Sequence, residues 1–166
     1  MSERILRELQ RRKIARQNKV AKRSIPRPPQ NPLTEYIDIR RATKISDMAL
    51  DKKYGYGLSQ PKTFGYEANK FSSLYALDAI EKNFSLLVKN PDDSNLIEAV
   101  ADAVHDGWSW AAYNVEDPRY LTQPEKKANR YALAEAPYRS LSEGEKEKDR
   151  VIARALIWTV YMAHKR

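Results

Sequence analysis

Prolines at positions 26, 28, 29 and 32 divide the chain. A proline fixes its own φ, lacks an amide donor and keeps the preceding residue out of the helical region. Residues 25–32, IPRPPQNP, therefore read as an extended, polyproline-like strut. No helix can pass through it, so the residues before it form an arm and those after it the body. The two parts differ sharply in charge. Ten of the 30 Lys and Arg residues and two of the 22 acids lie in residues 1–30, which leaves 20 of each elsewhere. The formal net charge of +8 thus belongs to the arm, and the body is neutral.

The arm is densest over residues 10–23, QRRKIARQNKVAKR, where seven bases stand without one acid. Residues 3–23 can form a helix with Ile5, Leu6, Leu9 and Val20 roughly on one side. So thin an apolar stripe makes an isolated helix marginal in water. Such a segment buries too little to offset about 1–2 kcal/mol of backbone entropy per residue. The expectation is that another molecule holds it. The candidate partner-binding residues are Arg4, Arg7, Arg11, Arg12, Lys13, Arg16, Lys19, Lys22 and Arg23. The partners they suit are acidic surfaces of other protein subunits, or nucleic acid, whose backbone releases counterions when neutralised. Deletion of residues 2–30 is expected to leave the body folded.

Several chemistries are disfavoured by composition. The chain has no Cys, which removes disulfides, thiolate nucleophiles and Cys-ligated metals and suits a reducing compartment. It has two histidines, His105 and His164, and no HExxH spacing, so neither a metal nor a cofactor is expected. Gly55-x-Gly57 lacks the βαβ context of a dinucleotide fingerprint. His105-Asp106 has no nucleophile placed near it by sequence and reads as a helix-end histidine. No enzyme is expected. No run of 18 apolar residues predicts a membrane span, and the first residues lack the apolar core of a secretory signal.

In the body, residues 33–65 read as irregular, with an ordered Gly/Tyr loop over 54–66. Phe71, Leu74, Leu77, Ile80, Phe84 and Leu87 predict a helix from about Tyr66 to Asn90-Pro91. Leu96, Ile97, Val100 and Val104 predict a second, stopped at Gly107. GWSWAAYNV, 107–115, alternates loosely and reads as a short strand or hairpin arm. Thr122 and Glu125 have capping-box spacing for a helix through about Leu133, on which Lys126, Lys127 and Arg130 form a solvated face. Ser142 and Glu145 repeat that spacing ahead of a helix over about 143–163. Its buried stripe is expected to be Val151, Ile152, Ala155, Leu156, Thr159 and Met162. The implied division is 1–32 arm, 33–65 linker and loop, 66–166 helical domain.

One combination carries a family resemblance. An apolar helix is followed by Gly107-Trp108-Ser109-Trp110, then by Lys126 and Lys127, then by Pro137-Tyr138, Leu141-Ser142-Glu143, Glu145-Lys146 and Lys148-Asp149-Arg150, and a final helix. Over roughly residues 94–162 this resembles the RyR domain, the module named from ryanodine receptors and found also in bacterial and phage proteins. The chain departs from the family pattern at Ala111, where a Gly is usual, and at Glu135, where an apolar residue is.

The resemblance implies a mainly α fold: a small helical RyR-like domain with a short β strand or hairpin, preceded by the extended basic N-terminal arm. It implies a binding or assembly module. The expected function is a non-enzymatic structural protein, a minor component of a phage virion or another large complex, in the virion or the host cytoplasm. Two alternatives stand beside it: a nucleotide-sensing module, and an RNA-, DNA- or ribosome-associated protein. For the first, Trp108, Trp110, Tyr113 and Tyr138 are the candidate stacking group, although such residues serve equally as core residues with a polar tip.

Overall fold

The structure, a computed structural model, describes residues 2–11 and 23–166. Seven α-helices account for most of it: α1 (3–11), α2 (Ile39–Tyr54), α3 (Phe64–Lys82), α4 (Phe84–Lys89), α5 (Ser94–Asn114), α6 (Pro124–Glu135) and α7 (Glu143–His164). Short 3-10 turns occupy Pro118–Leu121 and Tyr138–Ser140. The described residues contain no strand, and none of their helices is long and apolar enough to cross a membrane. The mainly α expectation is met without the strand or hairpin.

The core is made where α2, α3, α5 and α7 meet, from fully buried residues that include Leu77, Ile80, Leu96, Val100, Val104, Leu156 and Ile157. Its tightest junction is the crossing of α3 and α5. There Gly107 presents bare backbone to Phe71 and Ser72: a Cβ on residue 107 would sit 2.6 Å from the Ser72 Cα and closer still to the Phe71 carbonyl. The Ser72 hydroxyl donates to the Val104 carbonyl at 3.2 Å across the same contact. Gly107, expected to stop a helix, instead lets two helices approach. The helix therefore continues through 107–114, and the strand expected there is absent. The alternation of GWSWAAYNV arises because this turn is covered on several sides. Ser109, Ala111 and Ala112 are buried, and Trp108, Trp110 and Tyr113 are partly so.

Residues 39–54, expected to be irregular, form α2. Asp38 caps it by accepting from the Arg41 amide at 2.8 Å, and Gly55 ends it in the left-handed region at φ 69°. Its buried residues are Ala42, Thr43 and Ser46, small or polar, and its larger apolar residues Ile39, Ile45 and Leu50 pack partly buried against the core. Ser46 meets Ser73 of α3 at 2.8 Å, a buried contact between two hydroxyls that periodicity cannot reveal.

Other boundaries shift. Asn83 divides the first predicted helix into α3 and α4, its side-chain amide donating to the Ala79 carbonyl at 2.8 Å. Thr122 does not cap α6; the cap position is Gln123, without a side-chain bond, and Pro124 opens the helix. Ser142 caps α7 as expected, accepting from the Glu145 amide at 3.2 Å. The buried stripe of α7 is Ile152, Ala153, Leu156, Ile157 and Val160, and Met162 is exposed. The strut is also part of the body. Pro32 and Leu33 are buried, the Tyr75 hydroxyl of α3 donates to the Pro26 carbonyl, and the Leu33 amide donates to Glu81.

Gly107→Ala tests the crossing. In an unconstrained helix the change is favourable by about 1 kcal/mol. Here overpacking against backbone is expected to lower unfolding stability by about 1–3 kcal/mol or more, read from the denaturant midpoint. A neutral or stabilised variant would contradict the close approach. A second test concerns α7 and α2, tied by Glu147 to Lys53 at 3.0 Å and to Arg154 at 2.7 Å. Hydrogen bonding to Arg154 and then Lys53 holds the Glu147 carboxyl down at about 2. Its folded pKa lies below its unfolded one, so its contribution is present above the ordinary glutamate range and is lost as pH falls toward about 2. Glu147→Gln should therefore destabilise at pH 7 and be close to neutral at the acid end, as thermal melts across pH would show.

Candidate functional site: an arm root and a cleft

Two constructions flank the α3–α5 crossing. The first roots the arm. The Arg23 guanidinium donates to Asp106 at 2.6 Å, to the Ser109 hydroxyl at 2.9 Å and to the Ala134 carbonyl at 3.0 Å. Its backbone amide donates to the Tyr113 hydroxyl at 3.3 Å. Arg and Asp are both largely covered, at 19% and 27% side-chain exposure. A planar fork satisfied on three sides is held in one orientation. Arg23, grouped by sequence with the partner-binding bases, is thus an internal anchor that joins the chain to α5 and α6. Arg7 pairs with Glu3 at 2.7 Å and Arg11 approaches Glu8 at 4.0 Å, both within α1, and Arg4 is exposed there. Arg12, Lys13, Arg16, Lys19 and Lys22 lie outside the described residues.

The second construction is a cleft of about 360 Å³ on an adjacent flank of α5. Its apolar walls are Leu50 of α2, Phe64 and Ala68 of α3, Trp108 of α5, Leu133 of α6, Leu141 just before α7 and Ile152 within α7. Its polar groups include the charged or titratable Asp47, His105, Glu145, Lys148 and Asp149, the Asn69 amide and the hydroxyl-bearing Tyr56, Ser59 and Ser72. Asp47 accepts from the Ser59 amide at 2.8 Å and the Asn69 side chain at 2.9 Å, which pins the loop after α2. Lys148 pairs with Glu145 at 3.2 Å.

His105 is 3% exposed, and its Nε2 lies 2.6 Å from the Ala136 carbonyl. A carbonyl only accepts, so Nε2 carries the proton and the neutral ring turns a lone pair on Nδ1 toward Asp149, 3.8 Å away. Burial pushes the His105 pKa down. Burial, reinforced by the charge of Glu145, pushes the Asp149 carboxyl well above the usual range. Two titratable groups displaced by burial thus line one concave site, which makes it the candidate position.

The four aromatic residues singled out by sequence do not converge. Trp108 lines the cleft, its ring parallel to His105 within 11° at 6.3 Å and edge-on to Phe64 at 6.3 Å. Trp110 does not line it. Tyr113 holds the Arg23 amide, and Tyr138 donates to Glu98 at 2.8 Å. Arg130, expected on a solvated face, instead pairs with Asp117 at 2.7 Å and lies 3.6 Å over the Phe64 ring, buttressing the cleft wall. His105 and Asp106 do not bond each other: His105 bonds the Ala136 carbonyl and Asp106 accepts from Arg23.

Asp47, Phe64, Asn69 and Asp149 are site residues that the sequence reading does not single out. For Asp149 a signal exists. Glu145, Lys148, Asp149 and Ile152 succeed one another at the i, i+3, i+4, i+7 spacing of a single helix face. The surrounding charge run EGEKEKDR hides it.

Asp149→Asn separates a site residue from a structural one. Because the folded pKa is raised, the folded state binds the extra proton, and stability falls as pH rises through the window above the ordinary aspartate range. The variant is expected to be more stable than the parent at pH 8, by on the order of 1–3 kcal/mol, a buried polar group's desolvation penalty. The gain should disappear at pH 4. Destabilisation at pH 8 would show that Asp149 is a structural ion.

No family model matches the chain, and no curated protein or solved structure matches it.

Proposed function

We propose that the chain is a non-enzymatic docking protein of a larger assembly, in which the basic arm engages an acidic-rimmed apolar groove on another protein subunit. The observation that carries this reading is the surface of α1. Ile5, Leu6 and Leu9 are 52%, 53% and 49% exposed and share about a third of the helix circumference. Glu3, Arg4, Arg7, Glu8 and Arg11 occupy the opposite side. An amphipathic helix whose apolar stripe is open to water suits helix-in-groove recognition by protein. Nucleic acid alone would leave that stripe uncovered.

Two further points support the reading. Arg23 finds its counterpart in Asp106, but the body as a whole has no excess of acid to match the arm's charge of +8, which favours complementarity from outside. The Arg23 anchor sets where the arm leaves the body, which raises the effective concentration of a second contact once the first has formed. The resemblance of residues 94–162 to RyR domains agrees with a binding role. A virion is one assembly that fits.

Removal of residues 2–22, which spares the Arg23 anchor, is expected to leave the melting temperature of the body unchanged and to abolish co-assembly with its neighbours. Extending the deletion through residue 30 removes the anchor and the Pro26 contact and should lower the melting temperature. Leu6→Glu/Leu9→Glu, which keeps the bases, separates the partners by native mass spectrometry and pull-down. Loss of co-assembly supports a protein groove, whereas full retention with a steep salt dependence would replace it with nucleic acid. Unchanged occupancy of the 2–22 deletion would end the proposal.

A further inference from the structure

We propose that the cleft between α3, α5 and the start of α7 is a binding site for a small organic monocation with an apolar or aromatic body, its charged head on Asp149 and its body against Trp108. The Asp149 side chain is 14% exposed and lines the cleft. No hydrogen bond reaches it from the described residues; its nearest charged or polar neighbour of opposite character is the His105 Nδ1 at 3.8 Å. That nitrogen cannot donate while Nε2–H serves the Ala136 carbonyl. No buried side-chain oxygen among the described residues lacks a partner, so water reaches the Asp149 oxygens through the cleft mouth, and a ligand that brings its own donors can take that water's place.

The remaining charges decide the sign of that partner. Asp47 is satisfied by two N–H groups, and Lys148, the cleft's one lysine, is engaged by Glu145. Asp149 is left as the cleft's acid without a hydrogen-bonded partner, with Lys148 acting on it only through its charge, and the lining as a whole carries three acids and one lysine. An anionic ligand would meet repulsion and find no free base. The described residues contain no group of three metal-ligating side chains, so a bare metal ion is not the occupant the site suits. An ammonium, amidinium or guanidinium group supplies both donors and charge. The Trp108 face, steadied by Phe64 and His105, accepts a cation or a flat apolar body beside it. A cleft of about 360 Å³ has room for such a molecule and lies in the range of small-molecule sites.

The test uses the full chain and three flat probes of one shape: benzamidine, benzamide and benzoate. Titration calorimetry is run beside tryptophan fluorescence. Benzamidine is expected to saturate at one site, benzamide to bind at least about tenfold more weakly, and benzoate not at all, as for a covered charge pair. Asp149→Asn should weaken benzamidine by about tenfold and leave benzamide unchanged, while Trp108→Phe should weaken both and remove the fluorescence response. Failure of benzamidine to bind at millimolar concentration, equal binding of all three probes, or an Asp149→Asn variant that binds benzamidine unchanged would overturn the assignment. The probe series is read on the unaltered chain, so its outcome does not depend on a variant folding. The arm takes no part, so this result and the docking result stand or fall separately.

Discussion

The backbone-to-backbone approach of α3 and α5 at Gly107 organises the molecule. With no side chain at 107, α3 and α5 touch through Phe71, Ser72 and Val104 instead of being held apart by a layer of side chains. Close packing of this kind is unforgiving, because protein interiors are dense and a single methyl has nowhere to go. It also fixes the rotation of α5. The turn from His105 to Ser109 then directs its residues to two sides: His105 and Trp108 toward the cleft, Asp106 and Ser109 toward the incoming strut. One helical turn thus serves the arm root and the cleft together.

That arrangement explains why the arm and the body differ in charge yet form one chain in a physical sense. Arg23 belongs by sequence to the basic run and by structure to the body, where Asp106, Ser109 and the Ala134 carbonyl complete its coordination. The junction between arm and body therefore falls at residue 23, ahead of the prolines. The strut continues the anchoring through the Tyr75–Pro26 contact and the burial of Pro32 and Leu33. Of the arm ahead of it, the described residues form the charged, amphipathic α1.

Legibility from sequence tracks side-chain size. Where large apolar residues repeat, as in α3 and α7, the helices are readable, and the Ser142 cap is readable from its spacing. In α2 the buried residues are Ala42, Thr43 and Ser46, and the larger Ile39, Ile45 and Leu50 pack beside them at helical spacing; the period is present but is carried by few large side chains, and α2 escapes notice. Gly107 misleads because glycine's two uses, ending a helix and permitting contact, look alike without the partner helix in view. The aromatic residues of α5 suggest one stacking group, but a helix distributes positions 108, 110 and 113 around its circumference. The cleft is hidden for a related reason: Asp149 sits in a charge run that reads as solvent-facing until the burial of Ile152 identifies which side of α7 is inward.

The central claim is that the α3–α5 crossing is the most cooperative part of the fold and that both sites hang from it. Native-state hydrogen exchange measures this directly. The amides of residues 104–111 in α5 and 72–77 in α3 should exchange only through global unfolding, with α6 and residues 55–63 opening earlier. Exchange of the 104–111 amides through local opening, while α2 and α7 remain protected, would contradict it.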